Sequence, residues 1–78
     1  MSMPLTLKNL SEQVVSVHLD NGDLVGQLKL IGGVWKFKAV GYTADGHVVP
    51  GGGPLTERHN MTFTALDEAM VNAGLMGR

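Results

Sequence analysis

The stretch VVSVHLDNGDLVGQLKLIGGVWKFKAV, residues 14–40, decides the fold. Two glycine turns, Asn21-Gly22 and Gly32-Gly33, divide it into three runs of alternating apolar and polar residues. Such alternation marks strands with one buried face. Asn-Gly and Gly-Gly suit two-residue hairpin loops, in which both central positions need positive φ. Read that way, the first turn pairs Leu19 with Leu24, Val17 with Gly26 and Val15 with Leu28. The second pairs Leu30 with Trp35, Leu28 with Phe37 and Gly26 with Ala39. One face then collects Val15, Val17, Leu19, Leu24, Leu28, Leu30, Trp35 and Phe37, with Gly26 and Ala39 leaving room for a close approach at its centre. The opposite face collects Ser16, His18, Gln27, Lys29, Lys36 and Lys38. A slip of one residue would destroy this sorting.

Working outward, Asp45-Gly46 predicts a third hairpin, pairing Tyr42 with Val49 and Thr43 with Val48, and Pro50 removes a donor and ends the ladder. Residues 50–60 read as a glycine-rich loop. Met61, Thr62 and Phe63 alternate as a short returning strand. A helix is expected over 65–76, with Thr64 as N-cap, Asp67 and Glu68 at its positive end and Gly74 as C-cap. Leu66, Ala69, Met70 and Ala73 fall at i, i+3, i+4 and i+7, the spacing of a buried stripe. On this reading Met70→Asp unfolds the domain. Residues 1–10 fit either an edge strand or a helical turn. The whole is a single α+β domain: a four- to five-stranded antiparallel meander, with its core at 13–49, and one C-terminal helix packed on the apolar face.

Composition sets the outer bounds. Seventy-eight residues build one core. There is no cysteine, which excludes disulfides and thiolate zinc sites. No apolar run approaches the ~20 residues of a membrane helix, and the first ten residues lack the pattern of a secretion signal, so a cytoplasmic location and no membrane are expected. The formal charge of −1 disfavours a dedicated nucleic-acid binder. A hydrophobic share of 44% beside 17% charged residues leaves apolar surface outside the core and points to self-association.

Three surfaces stand out as binding candidates. Val14, Val25, Val40, Tyr42 and Val49 form an apolar strip on the second sheet face, available to a second copy or a protein partner unless the N-terminal leucines fold across it. Lys29, Lys36 and Lys38 form a basic cluster on the same face, suited to nucleic acid. Gly51, Gly52 and Gly53, with Arg58 and His59, form a loop whose amides and guanidinium suit a small anion. His18, His47 and His59 share no metal-ligand spacing, no nucleophile motif is present, and no cofactor is implied.

Two partial resemblances accompany these readings. The run Val15-x-Val17-x-Leu19-x-Asn21-Gly22 with Gly26-x-Leu28-Lys29 resembles the first motif of Sm-like RNA-binding barrels. That family's second motif has no counterpart here; a helix stands in its place. Trp35, Tyr42-Thr43-x-Asp45-Gly46 and Phe63-Thr64 leading into Asp67-Glu68-Ala69 are similar in layout to the arm-type DNA-binding domains of phage integrases. That likeness implies a sheet face presenting Lys36, Lys38 and Tyr42 to DNA. The chain departs from it in net charge and in its long glycine loop. The residues themselves lead to a non-enzymatic accessory or interaction protein acting as a homodimer. Alternatives are a sheet-face nucleic-acid binder or a receptor for a small anionic ligand at the loop.

Overall fold

A computed structural model of the chain describes residues 5–77. It contains β1 (Leu5–Ser11), β2 (Val14–Leu19), β3 (Leu24–Ile31), β4 (Val34–Tyr42), β5 (Val48–Pro50), a 3-10 turn at Thr56–Arg58, β6 (Thr62–Phe63) and α1 (Glu68–Met76). The strands form one antiparallel sheet in the order β1-β2-β3-β4-β5, with β6 also paired to β4. This is the expected α+β meander with a C-terminal helix. The N-terminal segment, left between strand and helix by sequence, is edge strand β1: Leu5 and Leu7 pair with Leu19 and Val17. From Leu5 on it extends the sheet and does not cross its second face; residues 1–4 lie outside the described residues.

The β3–β4 register is as expected, with Leu30 opposite Trp35, Leu28 opposite Phe37 and Gly26 opposite Ala39. Gly32 and Gly33 both have positive φ, 59° and 83°, as a two-residue primed turn requires. The other two turns differ, because in each only the glycine adopts positive φ. At the first, Gly22 N–H donates to Leu19 O and Leu19 N–H donates to Asp23 O, both at 2.9 Å. Asn21 instead uses its side chain, accepting from Asp23 N–H at 2.9 Å. Leu19 therefore faces Asp23 rather than Leu24, and Leu24 pairs with His18. One extra residue in β3 restores the expected register, so Val17 still meets Gly26 and Val15 meets Leu28. That residue is Val25, and a bulge of this kind is the usual way to absorb such a shift.

The third turn repeats the geometry without the compensation. Thr43 N–H donates to His47 O at 2.8 Å and Gly46 N–H to Thr43 O at 3.0 Å. The pairing slips by one, setting Tyr42 opposite Val48, Gly41 opposite Val49 and Val40 opposite Pro50. Pro50 is thus still within the ladder. Hydrogen bonds from Thr43 and His47 at this exposed turn hold the Asp45 carboxyl below its ordinary value.

One buried cluster joins Leu5, Val15, Val17, Leu28, Phe37 and Ala39 of the sheet to Leu55, Phe63, Val71 and Leu75. The room at Gly26 is taken by the Phe37 ring, which lies where a β-carbon would stand. The helix begins later than expected. Asp67 is the N-cap, accepting from Met70 N–H at 3.0 Å, since a carboxylate both caps and complements the helix dipole. The C-cap is Gly77. Gly74 serves close approach instead, a β-carbon there lying 2.6 Å from the Phe63 ring. The buried residues of α1 are Val71, Asn72 and Leu75; the expected stripe of Leu66, Ala69, Met70 and Ala73 faces outward. Asn72 sets this rotation. Its Oδ1 accepts from Leu5 N–H at 2.8 Å, and its Nδ2 donates to Leu5 O at 3.2 Å and to Glu68 O at 2.9 Å. Met70 is 43% exposed, so Met70→Asp is now expected to leave the fold standing.

Candidate functional site

The helix and the segment that carries Leu55 cover one side of the sheet. Among the described residues no element lies against the other. Strand pairing aligns Lys8, Ser16, Gln27 and Lys38 in one row across that open face, and Val14, Lys29, Lys36 and Thr62 in the next. All four lysines of the chain therefore share one face. The seven acids, Glu12, Asp20, Asp23, Asp45, Glu57, Asp67 and Glu68, lie in turns, in the 3-10 turn or at the start of α1, and none is in a strand. A chain of net charge −1 thus carries its four lysines on one face, with its carboxylates in the turns at the rim, where Asp20 shares a shallow pocket with Lys8 and His18. Lys29 and Lys36 stand opposite each other, an arrangement of like charges that is mildly unfavourable until an anion intervenes.

The apolar part of the face is made of different residues than sequence implied, with Leu24, opposite His18, standing where Val25 was expected. Val25, drawn in at the bulge, is 2% exposed and belongs to the core, so it offers nothing to a partner. The slip at the third turn moves Val49 to the side of Gly41 and puts Val48 beside Tyr42. Val14 and Val40 are half-buried, while Tyr42 and Val48 are 52% and 59% exposed. Between β3 and the β5 edge runs a groove of about 400 Å³, floored by Val40, Val48 and Pro50 and flanked by Gln27, Lys29, Lys38 and His59. Lys38 Nζ donates to Asn60 Oδ1 at 2.6 Å, which holds the ammonium at the groove's rim.

The glycine loop is arranged as structure. Gly51 N–H donates to Ala39 O at 2.8 Å and Gly52 N–H to Val49 O at 3.1 Å, so these amides are spent within the chain. Arg58 donates from Nε to Leu75 O at 3.4 Å and from Nη2 to Gly77 O at 2.5 Å, completing the carbonyl end of α1 as basic groups at helix C-termini do. Loop and guanidinium are therefore not assembled into an anion cradle. His59 fills the break in β4 pairing between β5 and β6: its Nδ1 accepts from Ala39 N–H at 3.0 Å. Only an unprotonated Nδ1 can accept, so the ring proton belongs on Nε2. Long-range nitrogen–proton correlation spectra should report the Nε2–H tautomer for His59. A proton on Nδ1 would show that the side chain does not complete the sheet.

His18 is likewise engaged locally, with Nε2 at 2.9 Å from Ser16 Oγ and Nδ1 at 3.1 Å from Gly22 O. No group of three His, Asp or Glu side chains among the described residues could hold a metal ion, and no helix there is long and apolar enough to cross a membrane. What fold and face define is a small α+β domain with an open, lysine-bearing sheet surface. No family model, no curated protein and no solved structure matches the chain.

Sequence alternation was enough to place Lys29, Lys36 and Lys38 together. Lys8 was missed because β1 could not be assigned, and the groove was missed because it depends on the one-residue slip that brings Val48 and Pro50 beside Val40.

Proposed function

We propose that the open sheet face binds single-stranded nucleic acid, with lysines on the phosphates and Tyr42 and the adjoining groove receiving an unstacked base. The carrying observation is the charge segregation: Lys8, Lys29, Lys36 and Lys38 on one face, every acid outside the strands. Phosphate neutralisation is the main source of such affinity, and an exposed aromatic beside a basic track is what base stacking on a single strand uses. The near-neutral whole chain provides little long-range attraction, so binding is modest and confined to this face. A homodimer through the same face would bury lysines against lysines, which speaks for the polyanion over the second copy there.

Four phosphate contacts give a slope of log K against log salt near about −3 for a single strand. Affinity for a labelled oligothymidine should therefore fall roughly 50-fold between 50 and 200 mM salt, measured by fluorescence anisotropy. The double variant Lys29→Ala, Lys36→Ala should weaken binding and roughly halve the slope. Duplex of equal length should bind less tightly, since its bases are unavailable to Tyr42. Absence of binding at 50 mM salt, or a slope untouched by the lysine variants, would refute the proposal.

A further inference from the structure

The groove between β3 and β5 is edged almost entirely by hydrogen-bond donors. Lys29 and Lys38 flank it, and an ammonium only donates. Lys38 is held in place by its bond to Asn60 Oδ1 at 2.6 Å. His59 closes another side, and its Nδ1 already accepts from Ala39 N–H at 3.0 Å. What the ring has left is Nε2–H, a third donor. Among the described residues that line the groove, Gln27 is the one whose side chain can accept as well as donate, and none is a carboxylate. The floor is apolar, and the volume of about 400 Å³ is that of a small-ligand site. A planar ring lying on that floor meets donors around its edge, with a single side-chain acceptor, Gln27 Oε1, among them.

Bases differ in what their edges ask of such a rim. Thymine and uracil carry two carbonyl oxygens, one on either side of an N–H. Cytosine replaces one of those oxygens with an amine and the N–H with an acceptor nitrogen, and adenine likewise presents an amine beside an acceptor. Guanine has one carbonyl oxygen beside two donors on that edge. We infer that the groove selects thymine or uracil. Its ammonium and imidazole N–H groups serve the two oxygens, and Gln27 Oε1 receives the N–H. An amine in the same place is set against lysine, donor to donor, and polar groups desolvated without a partner cost free energy. The inference rests on the single-strand reading and adds the base that the face prefers; the lysines alone would bind every sequence alike.

Labelled oligothymidine and oligodeoxycytidine of equal length carry the same phosphates, so their contacts with the lysines cancel in the comparison. By fluorescence anisotropy at low salt, oligothymidine should bind about tenfold more tightly. Oligouridine should exceed oligocytidine by a similar factor, and a preference found in one sugar series alone identifies DNA or RNA as the source of the base. Gln27→Leu should bring the thymine and cytosine strands to within about twofold of each other. A strand of N3-methylthymidine, which lacks the N–H and leaves the protein untouched, should bind as oligodeoxycytidine does; it decides alone if Gln27→Leu does not fold. Equal affinities within both sugar series overturn the inference and leave the single-strand reading standing, whereas absence of binding to every strand overturns both. A thymine preference that survives N3 methylation, or that survives Gln27→Leu, also overturns the inference.

Discussion

Gly53→Ala is expected to cost about 4–5 kcal/mol of stability, several times the loss at a glycine that is merely strained. Gly53 sits at φ +88°, where an L side chain is strained, and a β-carbon there would drive into the Val40 carbonyl, with Val40 C at 2.9 Å and Gly41 Cα at 3.0 Å. The relation is reciprocal, since a β-carbon on Gly41 would meet Gly53 N and lie 2.9 Å from Gly52 C. Two backbone segments thus cross with no side chain between them, and neither can yield, because both are main chain. Left-handed backbone costs alanine about 1–2 kcal/mol. Displacing the crossing adds on the order of 3 kcal/mol and lifts the loop that seats Leu55 in the core. A chain of this length has roughly 4–12 kcal/mol of total stability. Gly46→Ala is the matched control. Gly46 has φ +90° but nothing within 4 Å of its would-be β-carbon, so only the strain applies, and its urea midpoint should fall by about 1 M. Equal losses for the two variants would mean that the crossing does not exist.

The contrast between those glycines bears on what was legible in the sequence. The meander was legible because alternation over residues 14–40 and the Gly32-Gly33 turn both depend on local chemistry alone. Asn21-Gly22 and Asp45-Gly46 located their turns correctly but not the loop length, since a primed turn and a glycine-bulged type I turn share the same dipeptide. The outcome lay in whether the residue before glycine used its backbone or its side chain, and Asn21 used its side chain. At the first turn Val25 absorbed the difference; at the third nothing did, and Val48 and Val49 exchanged faces.

For the helix, periodicity was an insufficient guide because α1 offers two apolar stripes. Leu66, Ala69, Met70 and Ala73 make a better amphipathic pattern than Val71, Asn72 and Leu75, yet the second stripe is inside. A hydrogen-bonding match 67 residues apart decided between them. The same holds for the site. Strand alternation put the lysines on one face, but the position of Lys8 required the β1–β2 pairing, and the structural use of Arg58 and His59 required knowing which carbonyl and amide they reach. Charged and ring side chains beside a glycine run look alike in sequence whether they bind a ligand or mend a sheet edge.

Asn72→Asp should cost at least about 3 kcal/mol at neutral pH, although it changes no volume and keeps one of three hydrogen bonds. The substituted carboxylate can still accept from Leu5 N–H. Its second oxygen, however, would face Leu5 O and Glu68 O, the two carbonyls that Asn72 Nδ2 now serves. A buried negative charge would then confront two acceptors with no proton between them. Protonation supplies that proton, so the folded variant binds it more readily than the unfolded chain does. Its stability accordingly rises as pH falls, whereas an Asn72→Ala chain, which leaves both Leu5 groups unpaired, should lose about 2 kcal/mol at every pH. Urea midpoints of the three chains at pH 7 and pH 4.5 separate these effects. If Asn72→Asp matches wild type at pH 7, the amide does not hold α1 to the edge strand. The rotation that exposes Met70 and Met76 would then lose its cause.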